Sequence, residues 1–191
     1  MLLAFLLSNG LLENKRLLFI TDGATNIREH IAKFFGFRQY TLLLDWLHLK
    51  KKCKEYLSMA LKGGKDEKTA VRNALLGMLW VGNVEDAKNY IRKLDDKLLK
   101  NKGKAEEMVA YLERKKDFIP CYAMRKALGL RNSSNPVEKA NDIRVAKRQK
   151  HHGMFWSPGG SAALAVISAV YSNGELSQWL NERTLNFRMA A

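Results

Sequence analysis

Cysteine is scarce in this chain. Cys53 and Cys121 are the only two among 191 residues, too few and too far apart for a zinc site or a disulfide framework. They fit a reducing cytoplasm, in which both are free thiols. Long apolar runs are also missing: nothing approaches the roughly 18 residues of a membrane span. The opening stretch MLLAFLLSNGLL has no basic n-region and no small-residue cleavage site, which argues against a secretory signal. It reads instead as a buried helix broken near Asn9-Gly10, or as a helix packed on something upstream. Internal repeats and low-complexity linkers are absent. Acidic residues are in deficit, 19 Asp+Glu against 33 Lys+Arg, a formal charge of +14. Such an excess excludes few folds but favours a polyanionic partner, nucleic acid first and an anionic membrane surface second. No aspartate precedes Asp22.

With 47% hydrophobic residues the chain can build one ordinary core, with room for an inserted subdomain. Leu17 to Thr21 is short, apolar and rich in strand formers, as a buried parallel strand is. Ile27, Ile31, Phe34 and Phe35 then recur at helical spacing, and Gly36 closes that helix. Gln39 to Leu44 is a second strand-length run. After Asp45, the residues Leu49, Cys53, Tyr56, Leu57, Ala60 and Leu61 show the helical period again. Strand, helix, strand predicts two parallel strands joined by a crossover, with Asp22 and Asp45 on one rim at their carboxyl ends.

From Lys50 to about Leu130 the pattern is helical and contains no strand. Three or four helices are expected, separated at Gly63-Gly64, Gly82-Asn83 and Asn101 to Gly103. Val71, Leu75, Met78 and Leu79 form one apolar face; Val84, Ala87, Ile91, Leu94 and Leu98 form another. Both are expected to be core. A loop precedes Asn135-Pro136, which suits a helix start, and that helix is predicted to run through Lys150. After the loop HHGMFWSPGGS comes an apolar helix from Ala162 to about Tyr171, then an amphipathic segment around Leu176 to Leu180. Three divisions follow: 1–49 and 131–191 as parts of one α/β core, and 50–130 as a helical insertion.

Several residues carry more than one reading. Asp22, after a strand and before a helix, is a helix cap or a metal ligand; the helical period after Thr25 argues against a hairpin turn. Asp45 and His48 make D-x-x-H at a helix start, either an N-cap with a surface histidine or two ligands of one ion. Glu138 sits where it can bond back in a capping box and favours the positive helix end; nothing local requires catalysis. Lys139, Arg144, Lys147, Arg148 and Lys150, followed by His151-His152, form a basic cluster just before Phe155-Trp156. Lys50, Lys51 and Lys52 with Lys54 form another. Such runs are solvated faces or phosphate contacts, and an aromatic such as Trp156 can stack on unpaired bases.

The motifs ITDGATNI, LLLDWLHLKKK and SNPVEKANDIRVAKRQKHHGMFWS, in that order, resemble bacterial insertion-sequence transposases of the Lre type, within the Mutator-like group of D-D-E transposases. The resemblance runs from about Leu17 to Trp179. It implies an RNase H-like sheet with a helical insertion before the last acid. It also implies a reaction in which two Asp and one Glu hold two Mg²⁺ or Mn²⁺ ions, one activating the attacking oxygen and the other stabilising the leaving oxygen.

By position, Asp22 matches the second acid and Glu138 the third, both catalytic and metal-binding. Asp45 and His48 match the accessory [C/D]-x-x-H element, with Asp where many relatives have Cys. Lys147, Arg148 and Lys150 would face DNA. The pattern departs from the family at the first acid: the only upstream carboxylate is Glu13, in the polar turn Glu13 to Arg16. The expectation is therefore the C-terminal portion of a transposase, a partial RNase H-like α/β fold, mostly helical, that retains two parallel strands and an unpaired sheet edge. Its partners would be DNA, at transposon ends and target, and full-length transposase or a second copy, in the nucleoid-associated cytoplasm and not in a membrane. The alternatives are a non-catalytic nucleic-acid-binding protein or transposase regulator, and a remnant with no selected function.

Overall fold

Two short β-strands, β1 (Leu17–Thr21) and β2 (Tyr40–Leu44), make the single sheet of the described residues. They pair in parallel from Leu17 opposite Tyr40 to Thr21 opposite Leu44. The computed structural model describes residues 2–8, 10–13, 16–146, 149 and 155–184. The chain divides into two units, 1–134 and 135–191.

In the first unit, α1 (Leu2–Ser8) precedes the sheet. It stops before Gly10, whose φ of 61° no helix interior accepts; Asn9 lies outside the described residues. Between the strands runs α2 (Thr25–Phe35), with Ile31 and Phe35 buried. Phe19 of β1 packs against Phe35, ring centroids 5.0 Å apart. Gly36 ends α2 while still right-handed, at φ −62°, its N–H bonded to the Ala32 carbonyl. The expected strand–helix–strand order and parallel pairing are both present. Ile27 and Phe34, expected on the same face as Ile31 and Phe35, remain partly exposed.

The rest of the unit is helical: α3 (Trp46–Ala60), α4 (Lys65–Trp80), α5 (Val84–Arg92), α6 (Lys102–Lys115) and the short α7 (Tyr122–Ala127), with 3₁₀ turns at Asp96–Leu98 and Lys116–Phe118. α3 packs on α4 and α6, and α5 packs on α4 and α6, so each of the four touches two neighbours. The faces read from the sequence meet in one core, Leu49, Cys53 and Leu57 of α3, Val71, Leu75 and Leu79 of α4 and Ala87 and Ile91 of α5, which Met108 and Leu112 of α6 complete. Leu44 of β2 belongs to the same cluster, so the helices after Lys50 share their core with the strand. Full burial of each such aliphatic side chain contributes about 1.5–3 kcal/mol.

The second unit begins with α8 (Asn135–Asn141), which passes into a π-helical segment, Asp142–Ala146. α9 (Pro158–Ser172) and α10 (Leu176–Glu182) follow. α9 starts four residues before the predicted Ala162. Ser157 caps it, accepting from Gly160 N–H, and Pro158 occupies its first turn. The Gly159-Gly160 pair gave the sequence a loop-like look, but the Ser-Pro start decides the local structure. Gln149 and Ser161 exchange two hydrogen bonds, of 2.9 and 2.6 Å.

No helix among the described residues is long and apolar enough to cross a membrane.

Candidate metal and nucleic-acid site

The parallel register places Asp22 and Asp45 in equivalent positions, each directly after the last paired residues, Thr21 and Leu44. The Asp45 N–H donates to the Thr21 carbonyl at 2.7 Å, so the two aspartates do follow the same end of the sheet. Their carboxylates differ in burial and in partners.

Asp22 is exposed. Its Oδ1 accepts from Ala24 N–H at 2.8 Å, a two-residue Asx turn, while Thr21 Oγ1 accepts from Gly23 N–H. Ala24, not Asp22, is the N-cap of α2, and it makes no side-chain cap bond. Gly23 is required on two counts. Its φ is +80°, and a Cβ there would lie 2.8 Å from Leu44 Cδ1. Lys115, at the end of α6, donates from Nζ to the Gly23 carbonyl at 2.6 Å. Burial, with Arg28 and Arg114 nearby, lowers the Lys115 pKa, and the Asp22 charge opposes that shift. The strand end thus presents one exposed carboxylate in a partly cationic setting. Lys115 could not have been singled out from the sequence, where it is one of three consecutive basic residues.

Asp45 is fully buried. Its Oδ1 accepts from the N–H groups of Leu47 (2.7 Å) and His48 (3.2 Å), which makes it the N-cap of α3. Its Oδ2 accepts from the N–H (2.6 Å) and the hydroxyl (2.7 Å) of Ser134. Burial pushes its pKa up, but the hydrogen bonds from Ser134, His48 and Leu47 outweigh that and leave it below the ordinary value. Four donors fill the acceptor sites of a carboxylate, so a cation bound to Asp45 would have to displace at least one of them. His48 Nδ1 lies 3.8 Å from Asp45 Oδ1, and its side chain is 36% exposed.

The segment 131–134, read as a plain loop, is tied to this corner. Trp46 N–H donates to the Asn132 carbonyl, Asn132 Nδ2 to the Tyr122 carbonyl, and Arg125 to Asn132 and Arg131. The buried Tyr122 hydroxyl donates to the Leu44 carbonyl at 2.8 Å, and its ring lies 4.9 Å from Trp46 and 5.9 Å from Trp80. Nothing in the sequence pairs Asp45 with a serine 89 positions away.

Of the basic candidates in the first unit, Lys50, Lys51 and Lys52 are all exposed, and Lys52 is paired with Glu55 at 2.8 Å. In the second unit Glu138 and Lys139 are exposed on α8 and line a shallow depression with Asn135, Asn141, Asp142 and Ala146. Arg144 lies in the π-helical segment. Trp156 is 40% exposed, just before α9. Lys147, Arg148 and Lys150 lie outside the described residues. Among the described residues of the first unit, Asp22 joins no group of three His, Cys, Asp or Glu side chains that could surround an ion.

Comparison with protein-family models, with curated proteins and with solved structures finds no match for this chain.

Proposed function

We propose that the chain is a transposase-like protein acting on DNA, related to the D-D-E enzymes with an RNase H-like core, with Asp22 and Glu138 in the roles of its second and third acids. The observation that carries this reading is the exposed carboxylate of Asp22 at the carboxyl end of β1, in a parallel pair where α/β sheets hold their ligands. Mg²⁺ or Mn²⁺ held by such acids would activate the attacking oxygen and stabilise the leaving one. Asp22 keeps one oxygen outside its turn, and Glu138 is exposed on α8, so both have the chemistry that hard cations take. Asp45 acts through position: it fixes the start of α3 rather than serving as a free ligand.

Two acids are fewer than the reaction uses. The test is therefore strand cleavage and strand transfer on a DNA duplex with Mg²⁺ or Mn²⁺, with a third acid supplied on an added first strand, in cis or in trans. Asp22→Asn and Glu138→Gln should each abolish the activity and leave DNA affinity largely intact. A protein so extended that never cuts or joins DNA sinks the catalytic assignment.

The exposed lysines at the start of α3 favour a second reading, a nucleic-acid-binding protein without catalysis. It predicts a DNA affinity that falls steeply with salt and is unchanged by Asp22→Asn. Binding that is undetectable or insensitive to salt counts against it.

A further inference from the structure

α3 and α4 are joined by only four residues, Leu61 to Gly64, and a cleft of about 430 Å³ opens between the end of one and the start of the other. Its lining is Lys54, Leu57 and Ser58 from α3 with Lys65, Lys68, Thr69 and Arg72 from α4. That is four cations, two hydroxyls and one aliphatic side chain, with no carboxylate. Lys65, Lys68, Thr69 and Arg72 follow the spacing i, i+3, i+4, i+7, one stripe of α4. Lys54 and Ser58 are one turn apart on α3.

Like charges at this spacing repel, and no carboxylate lines the cleft to offset them. Among the described residues none of the four cations has an ion-pair partner. Other lysines of this unit do find acids: Lys52 bonds Glu55, Lys88 bonds Glu85 and Glu113, Lys102 bonds Asp96, Lys104 bonds Glu107, Lys116 bonds Glu113. Of the acids beside the cleft in sequence, Glu55 is held by Lys52 and Glu67 by the Gly64 N–H, and Asp66, in the first turn of α4, does not line the cleft. The positive end of the 16-residue α4 adds to the same field.

From this arrangement we infer that the α3–α4 cleft is a phosphate-binding site that grips the backbone of a nucleic acid. A free oligophosphate would satisfy the four cations, but the basic row does not stop at the cleft. Lys50 lies one turn before Lys54 on α3, about 6 Å along the axis, and is exposed, as is Lys51. A row of cations running out of a cleft suits a polymer of phosphates better than a single small anion. The inference rests on the nucleic-acid part of the proposed function and is independent of its acids.

The test uses the full chain and a short labelled DNA duplex, with anisotropy measured over a range of KCl. The triple variant Lys65→Gln, Lys68→Gln, Arg72→Gln should bind at least about tenfold more weakly and lower the salt slope by close to three, since each lost phosphate contact removes about 0.9 unit. The control Arg92→Gln, Lys93→Gln, Lys126→Gln removes the same charge from exposed positions outside the cleft and should change affinity far less. Ser58→Glu, which places a carboxylate in the cleft, should weaken binding without removing any cation.

Equal losses in the two triples, or no loss in the cleft variant and in Ser58→Glu, overturn the inference while leaving DNA binding itself intact. Wild-type protein that does not bind the duplex overturns both this inference and the nucleic-acid reading. Calorimetry with inorganic tripolyphosphate separates the two sources of phosphate: a cleft variant that loses tripolyphosphate but keeps the duplex also overturns it.

Discussion

Ser134 gives both its N–H and its hydroxyl to one oxygen of Asp45, at 2.6 and 2.7 Å. The other oxygen of the same carboxylate holds the first turn of α3. One buried side chain therefore anchors a helix start and the strip 131–134 together. Asp45→Ala leaves those donors without partners and is expected to cost about 3 kcal/mol, from the loss of a cap and of charge-assisted bonds. Asp45→Asn keeps the shape but turns an amide NH₂ toward donors, at about 2 kcal/mol. Urea unfolding measures both. An Asp45→Asn midpoint equal to that of the parent would show that the carboxylate charge does no structural work.

Acid should unfold the protein partly through two groups. Asp45 lies below its unfolded value of 3.8. Glu113 is held at about 2, against 4.5 when unfolded, by Lys116 and Lys88. Depressed carboxylates stabilise the fold above their unfolded pKa and lose that contribution as the pH falls through the folded one. Stability should therefore decline from just above pH 4 downward. Glu113→Gln should flatten the part between about 4.5 and about 2. Identical acid profiles for this variant and its parent would contradict the assignment.

The two thiols should react at different rates. Cys53 is 1% exposed on the inner face of α3, and burial pushes its thiol up to about 12, so almost no thiolate forms near neutrality. Cys121 is only partly covered. Iodoacetamide at mild alkaline pH should label Cys121 first, and Cys53 only after denaturation, as read by mass spectrometry. Rapid native labelling of Cys53 would mean that α3 is not packed as described.

Tyr122→Phe removes the hydroxyl that reaches the Leu44 carbonyl and changes nothing else in shape. The buried hydrogen bond makes the expected loss about 1–2 kcal/mol. Because the ring sits against Trp46 and Trp80, the native tryptophan emission should stay close to that of the parent. A large emission shift would mean that the aromatic cluster rearranges and that more than one hydrogen bond was lost.

Asp22→Asn should leave the melting temperature nearly unchanged. An asparagine oxygen can accept from Ala24 N–H as the aspartate does, and Asp22 is exposed. A drop of several degrees would give Asp22 a structural role beyond its turn.

Much of the scaffold was legible because it depends on period and burial. β1 has the bounds read from its apolar run, β2 lacks only Gln39, and the α3, α4 and α5 faces are those that the helical spacing marked. What stayed hidden depends on contacts across the chain. D-x-x-H left Asp45 open between cap and ligand, and only the fold brings Ser134 to its second oxygen. The approach of Lys115 to Gly23 is likewise a long-range outcome. The basic cleft escaped notice because Lys54 and Arg72 belong to different helices, and only a tight hairpin turns two ordinary basic stripes toward each other.

No linker separates β2 from α3: Leu44 ends the strand, Asp45 caps, and Trp46 begins the helix. The strand therefore sets the rotational phase of the helix. One residue inserted between Leu44 and Trp46 would turn every side chain from Leu49 to Ala60 by about 100°. That would swing Leu49, Cys53 and Leu57 out of the core and carry Lys50 and Lys54 away from the face they now share. The junction works as a gear tooth, and the direction in which the protein presents its positive charge is set by a strand that carries none.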